Sequence, residues 1–281
     1  MNYEDKLSQA VFERVANDLK SGILEATRLV TERADESVLE LGTTKIGGQP
    51  DLPVGTLWPT WNDSHLSFIA QINLADLEKA SQTLLPKEGL LSFFYDSEQA
   101  TWGFDPKDSG SWRVMLFSDR ASLERFEPPA SLPDYARYPA CRVEFVKTLT
   151  LPPWDSLFVE KLNLTETERD AYYDLLDNLH EETAGPLHQV GGHPATIQGE
   201  MQLECQLVSH GIYCGGIEGY ADPRRAELES GAEDWCLLLQ IDSDDNSQMM
   251  WGDVGMIYFW IQRQALEQQQ FEKVWMILQC G

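Results

Sequence analysis

Asp242-Ser243-Asp244-Asp245-Asn246 is the stretch of this sequence whose spacing comes nearest to a ligand set. Asp242, Asp244 and Asn246 alternate, and Asp253 follows eleven residues after Asp242. A calcium-binding EF-hand loop sets oxygens at positions 1, 3 and 5 and a bidentate Glu at 12, because a hard cation needs several oxygen ligands. Here Ser247 replaces the required glycine, Asp replaces Glu, and strand-like text flanks the loop, so an EF-hand is excluded. Two readings remain. A calcium or magnesium ion is held in a hairpin loop by Asp242, Asp244, Asn246 and Asp253, or the loop is an acidic turn whose side chains bond their own backbone. The expectation is the turn, with no cofactor.

Paired glycines come next, Gly47-Gly48 and Gly191-Gly192, each followed by one residue and then proline. Consecutive glycine N–H groups can form an anion-holding nest, and the plainer role is a tight turn that the fold needs twice. Gln71 and Gln240 each sit after apolar strand text and before Ile. A buried amide must be satisfied, so each is expected to bond backbone of a neighbouring segment. The functional alternative makes Gly47, Gly48, Gln71, Gly191, Gly192, Gln240 and Trp251 the lining of a ligand site. His188, His193, Cys205 and Cys214 match no zinc-ligand spacing. There is no Gly-x-Ser-x-Gly elbow and no lysine-bearing phosphate loop. No catalytic residue is assigned, and the balance leans against an enzyme.

The elements that must position these residues recur. Lys45-Ile46-Gly47-Gly48-Gln49-Pro50 answers Gln189-Val190-Gly191-Gly192-His193-Pro194. Phe68–Asn73, Gly89–Phe94 and Trp112–Phe117 answer Leu237–Asp242, Gly255–Trp260 and Trp275–Gln279 in the same order. Ordered self-similarity predicts an internal duplication and a seam where matched residues meet. Expected strands are 66–73, 89–96, 112–118, 141–149, 202–209, 235–241, 255–262 and 273–280, with an acidic loop at 218–234. Helices are expected over 4–20, over 21–41, briefly after Asn73, from the Thr165/Glu168 capping box to about His180, and over 264–270. Ile46, Leu52, Leu57 and Trp58 should anchor the Gly/Pro-rich text of 43–60. The fold class is α+β, predominantly antiparallel β, with two related β-rich halves and peripheral helices. Its parts are an N-terminal helical segment 1–42, a first repeat 43–150, a connector with a helix 151–188 and a second repeat 189–281.

A net charge of −25 and a pI near 4.4 oppose nucleic-acid backbones and anionic membrane surfaces, and suit a basic protein partner. No apolar run reaches the roughly 20 residues of a spanning helix, and the N-terminus has no signal-peptide pattern, so a cytoplasmic location is expected. Five scattered cysteines read as reduced, packed thiols.

Ile46-Gly47-Gly48-x-Pro50-x-Leu52-Pro53, Phe68-x-x-Gln71-Ile72-Asn73-Leu74, Gly89-Leu90-Leu91-x-Phe93-Phe94, Leu238-Leu239-Gln240-Ile241-Asp242-Ser243 and Trp251-Gly252-Asp253-x-Gly255-x-Ile257-Tyr258-Phe259 together resemble the YwqG-like family. The likeness spans residues 43–281 and implies a duplicated, mostly β structure. Some members resemble products encoded beside secreted-toxin systems, which implies toxin neutralisation. The expected function is therefore an interaction protein, immunity-like, for a basic partner. The rival is a small-ligand protein or enzyme with a site at the seam, using Gln71, Gln240, Asp242, Trp251 and Asp253, with or without a divalent ion.

Overall fold

A computed structural model describes residues 6–80, 84–181, 183 and 185–281. In chain order the first half holds α1 (Ala16–Ser21), β1 (Leu24–Arg33), β2 (Lys45–Ile46), β3 (Asp51–Pro53), β4 (Thr60–Trp61), β5 (Ser64–His65), β6 (Ser67–Asn73), α2 (Leu74–Ala80), β7 (Leu90–Tyr95), β8 (Trp112–Phe117), β9 (Leu123–Arg125) and β10 (Cys141–Thr150). There follow α3 (Leu157–Lys161), α4 (Glu166–Glu181), β11 (Gln189–Val190), α5 (Gln202–Ser209), α6 (Ile217–Tyr220), α7 (Arg225–Leu228), β12 (Trp235–Asp242), β13 (Met256–Gln262), α8 (Arg263–Glu267) and β14 (Trp275–Gln279).

One antiparallel sheet carries the architecture, in the order β14-β13-β12-β11-β1-β10-β2-β6-β7-β8. Its middle is the ten-residue pairing of β1 with β10, from Leu24 opposite Thr150 to Arg33 opposite Cys141. Short β11 and β2 hook the flanking strands onto this pair. The sheet curls until its ends nearly meet. Phe93 of β7 touches Phe259 of β13 with ring centroids 5.1 Å apart, and Trp112 of β8 packs edge-on against Trp275 of β14 at 4.8 Å. The Trp112 indole donates to the Val274 carbonyl at 2.8 Å, and Trp275 donates to the Gly103 carbonyl at 2.8 Å. Indole side chains and a backbone bond from the Leu278 N–H to the Trp102 carbonyl at 3.0 Å thus close the near-barrel in place of a strand ladder.

Both faces of the outer strands are covered, which is why β6, β7 and β13 read as nearly continuous apolar text. One face fills the curl around Phe93, Tyr95, Trp251 and Phe259. A second cluster joins Leu7, Phe12, Val15 and Leu19 to Val159, Tyr172, Leu175 and Leu179, so the N-terminal turns pack on α4. A third lies under Leu52, Leu66, Phe68 and Phe94.

Several sequence expectations are overturned. Residues 21–41 hold the central strand β1, not a helix, so the 1–42 segment is not simply helical. Ala26, Thr27 and Leu29 are buried at its centre, and the ten-residue ladder to β10 outweighs any helical tendency. The single helix expected over 4–20 is broken into a turn at Ala10–Phe12 and the six-residue α1; its first two residues lie outside those described. Residues 202–209 form α5, not a strand, and 218–234 are helical turns rather than a loop. Leu57 does not anchor its loop; it is exposed. The capping box is made: Thr165 N–H donates to the Glu168 carboxylate at 2.7 Å, and Glu168 N–H donates to Thr165 Oγ1 at 3.3 Å.

Candidate functional site

Each Gly-Gly-x-Pro loop is held by one glutamine. Gln71 Oε1 accepts from Asp51 N–H at 2.9 Å, and its Nε2 donates to the Thr43 carbonyl at 2.7 Å and to Asp51 Oδ2 at 2.7 Å. Gln240 Oε1 accepts from Ala195 N–H at 2.9 Å, and its Nε2 donates to the Leu187 carbonyl at 2.6 Å. Both side chains are fully buried with donor and acceptor engaged. Their pairing partners also correspond: Gln71 lies opposite Lys45, and Gln240 opposite Gln189. The N–H of Asn73 donates to Thr44 Oγ1 at 2.9 Å, and that of Asp242 donates to His188 Nδ1 at 3.0 Å.

Gly47 and Gly48 have φ of +67° and +76°, and a Cβ at Gly47 would stand 2.3 Å from the Pro139 carbonyl oxygen. Only glycine fits that turn. Their N–H groups donate to the Ile69 and Tyr138 carbonyls, so this nest holds backbone rather than an anion. Gly191 and Gly192 repeat the conformation at +68° and +72°.

The two loops differ in charge. Lys45, fully buried, reaches Glu36 at 2.6 Å and Asp51 at 3.4 Å, while Arg125 Nε meets Asp51 Oδ1 at 2.9 Å. Burial pushes the Lys45 ammonium below its ordinary pKa despite Asp51 and Glu36. Burial alone would raise Asp51, but Arg125, Lys45 and Gln71 together bring its carboxyl below the usual value.

The acidic loop is engaged with its surroundings. Asp242 Oδ2 accepts from Leu187 N–H at 2.7 Å, and burial raises its pKa. Asp244 accepts from Thr31 Oγ1 at 2.9 Å, from Asn246 N–H at 2.8 Å, and from His188 Nε2 at 3.3 Å. Because His188 Nδ1 accepts from Asp242, its proton sits on Nε2, facing Asp244. Against the upward push of burial, these bonds hold Asp244 down at about 2. Asn246 Nδ2 turns toward the Thr31 carbonyl at 3.2 Å, and Asp253 is exposed with its carbonyl accepting from Gly281. Among the described residues no group of three or more His, Cys, Asp or Glu converges as a metal site. Trp251 is buried between Tyr95 and Tyr138, at 5.9 and 5.8 Å, and donates to the Asp242 carbonyl. The seven ligand candidates therefore fall in three places, two loops and one core position.

Open space lies elsewhere. At the seam, a cavity of about 340 Å³ is lined by Trp112, His210, Trp235, Gln262 and Trp275. Beside α4 a cavity of about 420 Å³ is lined by Trp154, Asp155, Tyr173, Asp177, His180 and Ile197. A hollow of about 450 Å³ shares Trp154 and Asp155 and is further lined by Val159, Glu160, Asn163 and Arg169. Trp154 and Tyr173 are about half exposed and meet edge-on at 6.1 Å. Gln240, Tyr258 and Gln279 strap residues 195–198 across the outside of β12, β13 and β14, which sets Ile197 opposite Tyr173. A further hollow of about 250 Å³ includes Glu200, whose carboxyl is pushed up to about 7 by burial. None of these α4-side residues was singled out by the sequence: they are scattered over 154–199 and share no motif.

All five cysteines are free thiols, and no helix among the described residues is long and apolar enough to cross a membrane. Residues 44–280 match the family described as Domain of unknown function (DUF1963). No curated protein matches the chain.

Proposed function

The chain belongs to that domain-of-unknown-function family, and we propose that it is a cytoplasmic binding protein, immunity-like, that captures a basic protein partner on its outer surface. The observation that carries this reading is the α4 face. Glu166, Asp170, Asp174 and Asp177 are exposed on one helix beside the half-exposed Trp154–Tyr173 pair, in a chain of net charge −25. Exposed aromatic rings with a predominantly acidic rim, here interrupted by Arg169, have the composition of an interface that steers and then grips a basic protein. The glutamines and glycine loops are, in this reading, parts of the scaffold, and no metal or cofactor is required.

The scaffold itself we read as an internal duplication of YwqG-like type, with 43–150 and 189–281 as its two halves. Three features support it. Strands β2-β6-β7-β8 and β11-β12-β13-β14 flank the central pair in mirrored order. The Gln71 and Gln240 bonds correspond partner for partner. Matched residues meet in the curl, Phe93 with Phe259 and Trp112 with Trp275. Superposing 45–118 on 189–280 tests it; failure of these strands to overlay one for one ends the idea.

The test of function is retention on the immobilised chain at about 150 mM salt, where the screening length is about 8 Å, against a second acidic protein of equal net charge. A basic polypeptide held by this chain and not by the control is the expected result; identical retention on both overturns the reading. The seam cavity favours the rival, a small-ligand protein or enzyme. Its divalent-ion form predicts that calcium or magnesium raises the melting temperature and EDTA lowers it, since saturating ligand stabilises by about 2.7 kcal/mol at a hundredfold excess over Kd.

A further inference from the structure

We propose that the cavity between Trp154 and Tyr173 is the receptor for the guanidinium of an arginine on an extended segment of the cationic partner; this rests on the binding reading above. Two exposed rings, inclined at 73° with centroids 6.1 Å apart, offer one face for stacking and one edge. Asp155 and Asp177 supply carboxylates on the same walls, and no lysine or arginine lines this cavity. A planar, weakly hydrated guanidinium stacks on aromatic rings and forks onto carboxylates, which a compact ammonium does less well. At about 420 Å³ the space is of ligand-pocket size.

Two further observations point the same way. Asp155 uses Oδ2 to accept from Glu200 N–H at 3.1 Å, while its Oδ1 is buried with no hydrogen-bond partner among the described residues. An incoming donor reaches that oxygen only once the Asp155 side chain turns toward the cavity, which the unmet acceptor favours. His180 on the same wall has its pKa lowered, desolvation outweighing the raising effect of Asp177, so a competing positive charge is disfavoured there.

The occupant is a peptide arginine rather than a free one because the space continues. Trp154 and Asp155 also bound the hollow of about 450 Å³ beyond, where Arg169 stands. A chain crossing Trp154 places its arginine on the Tyr173 side, while the hollow beyond, lined by both Glu160 and Arg169, sets no charge on the neighbouring residue. The acidic face of α4 continues along the same approach.

The experiment is calorimetric titration of the full chain with an acetylated Gly-Arg repeat peptide, its lysine and citrulline counterparts, and N-acetyl-arginine amide, at about 150 mM salt. Trp154→Ala keeps the charge, Asp177→Asn removes one carboxylate, and Glu40→Gln removes an exposed carboxylate outside the cavity lining. Expected are binding of the arginine peptide about tenfold tighter than the lysine peptide, none of the citrulline peptide, a loss of about tenfold in Trp154→Ala, several-fold in Asp177→Asn, and no change in Glu40→Gln. Unchanged melting temperatures confirm that the exposed substitutions leave the fold intact. Arginine-peptide affinity unaltered by Trp154→Ala, or equal weakening by Glu40→Gln, overturns the receptor while leaving the binding reading standing. So does absence of arginine-peptide binding to the unaltered chain, since that reading is judged separately by retention of a basic protein. Equal affinity for N-acetyl-arginine amide overturns the peptide source.

Discussion

At the scale of single residues, the amide of Gln71 fastens backbone on two segments and a buried carboxylate. Replacing it with Leu keeps approximate volume but strands the Asp51 N–H and the Thr43 carbonyl, and leaves Asp51 Oδ2 with the Gly42 N–H but not the side-chain donor. The expected loss is about 2–4 kcal/mol in urea unfolding, because buried groups left unpaired cost about 1–3 kcal/mol each and partly re-pair. Gln240→Leu should cost less, since its loop carries no buried Lys–Asp pair, and equal losses would contradict that account. Glu200 gives a pH-dependent counterpart. Its folded pKa of about 7 lies above the ordinary carboxylate value, so the native state binds the proton more tightly. Below both values it has no effect; as pH rises past the unfolded value toward 7 the native state is progressively penalised, fully so above 7. Glu200→Gln can still accept from the Met201 and Gln202 amides. It should raise the melting temperature at pH 8, by on the order of 1 kcal/mol or more in stability, and change nothing at pH 4. A gain that persists at pH 4 would remove this explanation.

At the scale of elements, the family match begins at residue 44, yet the central strand β1 lies before it. Removing residues 1–43 would expose facing edges of β10 and β11, the first over ten residues. A fragment 44–281 should therefore fail to fold, visible as lost near-UV circular dichroism and strong dye binding; a cooperative melt like that of the whole chain would refute this. The sequence was least legible at such elements. β6, β7 and β13 stood out because burial on both faces forces continuous apolar and aromatic text. In β1, by contrast, Glu25, Arg28 and Glu32 fall at helical spacing, and its identity is decided by a partner more than a hundred residues away. α5 misled in the opposite sense. Met201, Leu203, Cys205 and Leu207 alternate like a strand, whereas Met201, Cys205 and Val208 form a fully buried helical stripe. The glycine loops and their glutamines were legible because each lies within consecutive text. The Trp154–Tyr173 cavity was not, because only the packing of α4 against the 195–198 strap brings its walls together.

At the scale of the whole molecule, the question is what keeps the curl closed where the ladder stops. β8 and β14 do not pair; two indoles reach across, each donating to backbone on the opposite side. Their rings also pack edge-on at 4.8 Å. If the closure is a mutual clasp, the tryptophans are coupled rather than independent. A double-mutant cycle of Trp112→Phe and Trp275→Phe keeps both rings aromatic and removes one indole N–H at a time. Each single change should cost about 1–2 kcal/mol for the carbonyl left without a donor. The coupling between them should exceed the roughly 0.5 kcal/mol within which independent sites add. Hydrogen exchange would place the consequence: amides of β8 and β14 should open more readily in the variants, while those of β1 and β10 keep their protection. Additive costs with exchange rising equally in all four strands would mean that the sheet is held shut by its core and the Leu278–Trp102 backbone bond, not by the indoles. The curl brings Phe93 onto Phe259 well inside the seam, so such a core could do so without the clasp.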